Sequence, residues 1–312
     1  MSTRLSSSFA YGLQLKAELS QVLRAFSEHN IPCIVLKGLP LAEELYGGLS
    51  ERAMCDNDVV VRLGDVQRAN NVLVSLGFRD AQRQSLSTSL ATNFQHPMSR
   101  DLPQLGPSLF ELHWHAFPPY YFQTDEALLF TNTRPVFVGQ VEARVLSYEL
   151  GILHLVSHYL QHTLGEPRIL CDLGRAWDRW GPLADQNTLS TLAKRIGARV
   201  ALDFCLRATH RAGLCEREVP KTLHTRRGSW LLSLLSKGEL ASGDQKPDLK
   251  RTLYTWAALD RHHATRSALR ELFPSHNRMS AIHPDDGAVR LLLRFAERPA
   301  RGLFKRIGQR RW

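Results

Sequence analysis

Two short apolar runs with a helix between them constrain this chain more than any other feature. Residues 33–36 read Cys-Ile-Val-Leu and residues 59–61 read Val-Val-Val. Each is too short for a helix and rich in the branched side chains that suit a pleated strand. Between them, residues 39–46 carry a helical pattern that ends at Gly47-Gly48. Ahead of them, residues 12–28 place Leu13, Leu15, Leu19, Val22, Leu23 and Phe26 at helical spacing, broken by His29-Asn30-Ile31-Pro32. After the second run, Asp65 stands as an N-cap before a helix with Val66, Ala69, Val72, Leu73 and Leu76, which stops at Gly77. Such alternation calls for a sheet covered by helices, a small α/β (α+β) domain with a mixed sheet. Residues 77–79 and 90–96 are weaker strand candidates and residues 108–114 a clearer one, so this domain, with its N-terminal helix, is expected to span residues 1–146.

From residue 147 onward only helical periods occur, over 150–164, 169–180, 189–212, 229–240, 248–272 and 288–304. Residues 147–312 therefore read as an all-helical domain with a basic C-terminal tail, and residues 242–247 as its best loop. The net charge of +10 is concentrated in that tail. Residues 289–312 hold eight basic residues against Glu297, a net of +7, which leaves +3 for the other 288. A nearly neutral body with a basic end is not by itself a nucleic-acid binder. No stretch approaches the roughly 18 apolar residues of a membrane span, and residues 1–20 lack the pattern of a secretory signal. Five scattered cysteines without a CxxC pair fit a reducing compartment, so a cytoplasmic location is expected.

The chemistry is concentrated where the second apolar run begins. Asp56 and Asp58 stand two apart at its start, and a strand sends such side chains to one face. Adjacent carboxylates repel, so removing one is expected to leave the metal-free sheet intact. The pair becomes favourable when a divalent cation, Mg²⁺ or Mn²⁺, sits between the acids with positions open for substrate phosphates. Upstream, Lys37-Gly38 joins a strand to a helix, where glycine allows close backbone approach and the helix start favours anions. Downstream, Glu111 and His113 alternate on another strand, and Glu111 adds a third carboxylate.

The segments CIVLKGLPLAEELYGG and ERAMCDNDVVVRLGDVQRANNVLVSLGF, with the later FELHWHAF and LHLVSHYLQHT…RILCDLG, resemble the nucleotidyltransferase superfamily with the polymerase-beta-like fold. More narrowly, they resemble its bacterial family of uncharacterised nucleotidyltransferases, over roughly residues 15–180. Lys37-Gly38 takes the place of the wider superfamily's Gly-Ser or Gly-Gly pair, as that family's pattern has it. Asn57 stands where an apolar residue is usual, and its side chain should point away from the metals. The resemblance implies that an acceptor hydroxyl attacks the α-phosphate of a nucleoside triphosphate and pyrophosphate leaves. It assigns Asp56 and Asp58 to the metals, and Glu111 to a third ligand or the base. Gly38 would admit the triphosphate to the backbone and Lys37 would neutralise it. Arg52 is either a second phosphate clamp or a solvated loop arginine. The acceptor, whether small molecule, peptide, protein or RNA, is not named.

His154, His158 and His162 recur every four residues, drifting about 40° per step around a helix. Leu155 and Tyr159 occupy the positions where a zinc protease carries glutamate, which argues against that class. His154 reads as lining a seam between helices. His158 and His162 match the family's helical motif and either share that seam or touch nucleotide or acceptor. Asp172 begins the next helix, to orient one of those histidines or to cap. The tail interleaves arginine with Leu291, Leu292, Leu293, Phe295, Leu303, Phe304 and Ile307. It reads as a solvated helix end, or as a peripheral contact for an anionic membrane or an acidic partner. Two other functions compete. A glycosyltransferase that uses DxD to hold a nucleotide-sugar needs more than the 55 residues ahead of Asp56. A non-catalytic nucleotide- or RNA-binding module would have less reason to keep all three acids.

Overall fold

The strands of the N-terminal region close into one seven-stranded sheet in the computed structural model of the protein, which describes residues 2–81, 85–102, 106–162, 164, 166–235, 249–259 and 265. The strands are β1 Cys33–Val35, β2 Asp56–Val61, β3 Arg79–Asp80, β4 Gln95–Leu102, β5 Gly106–His113, β6 Thr133–Val138 and β7 Val141–Leu146. Their order in the sheet is β3-β4-β5-β2-β1-β7-β6. Two parallel pairs, β2–β5 and β1–β7, alternate with antiparallel ones, so the sheet is mixed. The helices threaded through it are α1 Ser2–Glu28, α2 Leu39–Tyr46, α3 Val66–Ser75, α4 Leu86–Thr92 and α5 Glu126–Thr131. A helical region follows: α6 Tyr148–Gln161, α7 Pro167–Trp180, α8 Gln186–Ile196, α9 Arg199–Arg211, α10 Arg226–Ser233 and α11 Leu249–Ala258. Contacts divide the chain into one unit of Met1–Ala116 with Thr124–Gly151, and another of Phe117–Gln123 with Ile152–Trp312.

In the first unit, Leu15, Leu19, Val22, Leu23 and Phe26 of α1 are buried at three- and four-residue spacing. They meet Val66, Ala69, Val72 and Leu73 of α3 over the sheet residues Val59, Val61, Phe110 and Leu112 in one core. Leu13 lies off that face and is exposed. Each large side chain fully buried there stabilises the fold by about 1.5–3 kcal/mol. The two-residue period of the strands then decides the other face. With Val59 and Val61 turned to α1, Asp56 and Asp58 leave β2 on the opposite side; with Phe110 and Leu112 turned inward, so do Glu111 and His113 of β5.

Several local expectations change. The strand expected over residues 90–96 starts only at Gln95, because Ser85 caps α4 through Thr88 and the helix runs to Thr92. Asp65 makes no side-chain cap on α3 and instead pairs with Arg68 at 2.7 Å. Residues 189–212 form two helices, because Gly197 takes a left-handed conformation (φ 78°) that ends α8. By contrast α2 ends where the glycines suggested, with left-handed Gly47 returning its N–H to the Ala42 carbonyl.

In the second unit, α7 and α9 pack closely at Gly174, and the buried Trp177 donates its indole N–H to the Arg217 carbonyl at 3.2 Å. Asp203, fully buried on α9, accepts hydrogen bonds from the Thr225 amide and hydroxyl at the start of α10. Among the described residues no helix is long and apolar enough to cross a membrane. All five cysteines are free thiols. The expected loop at 242–247, the helix at 288–304 and the basic tail lie outside the described residues.

Candidate metal and phosphate site

β2 and β5 run side by side in parallel, which sets Asp58 opposite Glu111 and Asp56 opposite Leu109. The third contributor comes from the turn between β1 and α2. Gly38 sits there at φ 75° and ψ −111°, and an added Cβ would lie 3.3 Å from the Asp56 carbonyl oxygen. Only glycine fits such a backbone without strain. The Leu36 amide also donates to the Asp58 carbonyl at 3.1 Å, so this turn is tied to the acid-bearing strand. Lys37 is thereby aimed at the acids, its Nζ 2.9 Å from Asp58 Oδ2 and 3.4 Å from Asp56 Oδ2. From the other side, His113 Nε2 stands 3.1 Å from Asp58 Oδ1 and 3.4 Å from Glu111 Oε2.

Electrostatics in the cluster is a contest between burial and pairing. Burial alone would raise the Asp58 pKa, but the Lys37 ammonium and the hydrogen bond from His113 hold it well below the usual carboxylate range. Burial likewise disfavours charge on Lys37, yet the carboxylates of Asp58, Asp56 and Glu111 outweigh it and raise its pKa. His113 follows the same logic: against burial, its bonds to Asp58 and Glu111 lift it to about 9, so the ring is a cation at neutral pH. Glu111 is the exception. Burial dominates there and raises its pKa, assisted by the neighbouring Asp58 charge.

The acids are therefore not two charges in repulsion. Two protein cations neutralise them, and the expectation that one aspartate can be removed without cost does not hold. Asp58→Ala would leave Lys37 only its 3.4 Å contact with Asp56 and His113 only its 3.4 Å contact with Glu111, a loss of up to about 3–5 kcal/mol. Asp58, Glu111 and His113 present ligand atoms within 4.8 Å of one another, a geometry that could hold a metal ion. The carboxylate oxygens suit a hard divalent cation. His113 suits one less well. Its Nδ1 is buried with no hydrogen-bond partner among the described residues, whereas a ligating histidine usually donates that second N–H.

The sequence candidates divide between the two units. Lys37, Gly38, Asp56, Asp58, Glu111 and His113 come together in the first. Arg52 belongs to it too and is buried, at 7% exposure, so it is not a solvated loop arginine. His154, His158 and Asp172 lie on α6 and α7, with His162 just past the end of α6. The His154 and His158 rings are parallel with centroids 6.4 Å apart, and His162 meets His158 edge-on at 4.7 Å. His154 is buried and packs edge-on against Phe117 at 5.6 Å, as a seam histidine does. Asp172 neither begins nor caps its helix. It is fully buried within α7, whose N-cap position is Glu166.

Asn57 turns away from the acids, as its place in the strand requires, and donates to the Leu15 carbonyl at 3.1 Å. Sequence reasoning missed what it meets there. Glu18 is a buried acid on the otherwise apolar face of α1. An acid between Leu15, Leu19 and Val22 was the available signal.

With this geometry in view, a match to a known family is decisive. The family described as "Uncharacterised nucleotidyltransferase" matches residues 2–212. The chain belongs to that family. No curated protein matches it. The matched segment contains the whole sheet and α6 to α9, and with them each candidate residue named above. Residues 213–312, including the tail, fall beyond it. Membership supports nucleotidyl transfer as the class of activity and a nucleoside triphosphate as the class of substrate. In this member of the family, the acidic cluster of β2 and β5 is the candidate metal site.

Proposed function

We propose that the chain transfers a nucleoside monophosphate from a nucleoside triphosphate to an acceptor hydroxyl, with Mg²⁺ or Mn²⁺ held by Asp56, Asp58 and Glu111. The observation that carries this is the convergence of acids from two parallel strands, Asp58 opposite Glu111, on the face where Lys37 emerges. Mixed-sheet topology with the acids at the start of β2 supports placing the domain in the polymerase-beta-like superfamily.

A divalent cation bound there supplies charge neutralisation for the attacking and leaving oxygens. The protein's own residues do the rest. Gly38 lacks the Cβ that would keep a phosphate from the backbone at the start of α2. Lys37 offers an ammonium to the triphosphate charge, and Arg52 a second cation. Glu111 has a second role as the alternative to ligation: with its pKa raised by burial, it would serve as the base that takes the proton from the acceptor hydroxyl. Family membership weighs against a nucleotide-sugar glycosyltransferase.

The test is to incubate the full chain and Mn²⁺ or Mg²⁺ with each α-labelled triphosphate and a cell extract. Label should pass to one species, and Asp58→Asn, which keeps the shape of the side chain, should lower that transfer by at least roughly 10²–10³-fold. If the wild-type protein never transfers label while triphosphate still raises its melting temperature, a non-catalytic binding module is the better reading.

A further inference from the structure

The acidic site straddles a join in the sheet. β3, β4 and β5 form an antiparallel group; β2, β1, β7 and β6 form a mixed one; the two meet only at the parallel pair β2–β5. No turn sets the register there, because 44 residues separate the end of β2 from the start of β5. A slip of one residue would turn one strand's side chains to the wrong face and take Glu111 from the aspartates.

Behind this join α1 lays a polar seam. The Tyr11 hydroxyl reaches the Cys55 carbonyl at 3.3 Å and the Pro107 carbonyl at 3.4 Å. Asn57 donates to the Leu15 carbonyl at 3.1 Å and to Glu18 Oε2 at 3.4 Å. The Ser108 hydroxyl donates to Glu18 Oε1 at 2.7 Å, and Arg100 Nε of β4 stands 3.3 Å from the same oxygen. Tyr11, Leu15 and Glu18 follow at spacings of four and three, one stripe of the helix. At both ends of the stripe, one partner belongs to β2 or its lead-in and the other to β5. Glu18, Asn57 and Ser108 are all buried. The seam is not the most stable way to fill that space, since burial raises the Glu18 pKa and an apolar set would pack without the desolvation. Its hydrogen bonds are directional, and that is what register requires.

We propose that Tyr11 and Glu18 of α1, with Asn57 and Ser108, are the positioning residues that set Asp56 and Asp58 against Glu111 from behind the sheet. This rests on the reading of those acids as metal ligands. Asn57 then has a task inside the triplet: the middle residue anchors the strand while the outer two face the metal.

The experiment measures Mn²⁺ binding by the metal alone, together with backbone amide exchange, in full-length variants. Glu18→Ala should weaken Mn²⁺ binding by about tenfold or more and speed exchange in the β2–β5 ladder while sparing β6–β7. Glu18→Gln, whose single amide oxygen keeps the acceptor for Ser108 and gives up the one for Asn57, should restore both in part. Leu73→Ala, a cavity in α3, should lower the melting temperature and leave Mn²⁺ affinity as in the wild type. The proposal is overturned if Glu18→Ala binds Mn²⁺ normally with unchanged β2–β5 exchange, or if Leu73→Ala weakens binding equally. Should Glu18→Ala fail to fold, Tyr11→Phe serves instead, with a smaller loss expected and no change overturning the idea. If the wild-type protein binds no Mn²⁺, the metal reading falls by itself, and the exchange comparison alone decides the seam.

Discussion

The Lys37 ammonium already spends its charge on two aspartates. It sits 2.9 Å from Asp58 and 3.4 Å from Asp56, in the position of a bridging cation. Under the proposed function, a divalent metal entering between those acids would compete with it, and a triphosphate arriving with the metal would offer it a new partner. Metal and nucleotide should therefore bind with positive coupling, equal in both directions. Lys37→Met is expected to tighten Mn²⁺ binding in the absence of nucleotide by several-fold and to weaken triphosphate binding by about tenfold. Calorimetric titrations of each ligand with and without the other would measure this; unchanged Mn²⁺ affinity in the variant would exclude the competition. At this scale the placement of the acids was legible, because a two-residue period on a strand leaves little freedom. Their partners were not. A lysine stem reaches several places from one backbone position, so the sequence pointed Lys37 at phosphate and showed nothing of its grip on Asp58. His113 was seen as a neighbour of Glu111 on the strand, whereas its bridge to Asp58 exists only once β2 and β5 are paired.

Among the elements, α2 could be read to the residue because Gly47-Gly48 ends an apolar period with a left-handed turn. β4 could not: Gln95–Leu102 is polar and contains Pro97, and it forms a strand through its antiparallel pairing with β5. The break between α8 and α9 was missed because a lone Gly197 inside a periodic pattern is also tolerated within a helix. Gly174 is a different case, a glycine required by packing. A Cβ there would collide with the Leu214 carbonyl and stand 2.8 Å from Thr209 Cγ2. Gly174→Ala should destabilise the protein by about 1–3 kcal/mol through overpacking. Gly64→Ala, where nothing lies within 4 Å, should change little, and equal melts for the two would refute the argument. The start of α8 carries a pH signature. Hydrogen bonds from Thr188 hold the Asp185 carboxyl below its ordinary value of 3.8, the amide bond being 2.7 Å. A depressed folded-state pKa adds stability above the unfolded value, and that stability is lost as pH falls through the folded one. Asparagine caps a helix equally well without the charge. The melting temperature of Asp185→Asn should thus fall below the wild type at neutral pH and converge with it in acid; a gap that persists in acid would point to geometry instead of charge.

For the molecule as a whole, the charge distribution separates a basic tail from the acidic cluster. Of the net +10, +7 lies in residues 289–312, beyond both the described residues and the family segment, and the remainder of the chain is close to neutral. The acidic cluster and its two cations belong entirely to residues 37–113. Association with an anionic membrane surface should therefore depend on the tail, and transfer to a small acceptor should not. Exposed charges are screened beyond about 8 Å at physiological ionic strength, so tail-driven association should weaken steeply as salt rises. A chain ending at Asp286 would carry out the test, assayed for binding to phosphatidylserine vesicles across a salt series and for transfer to a small acceptor. Loss of the salt-sensitive vesicle binding with transfer retained is the expected result. Vesicle binding that survives the truncation would assign the attraction to the neutral body, against its charge. Loss of transfer would make residues 287–312 part of the catalytic fold, because screening cannot carry their charge to a buried cluster that is already neutralised by Lys37 and His113.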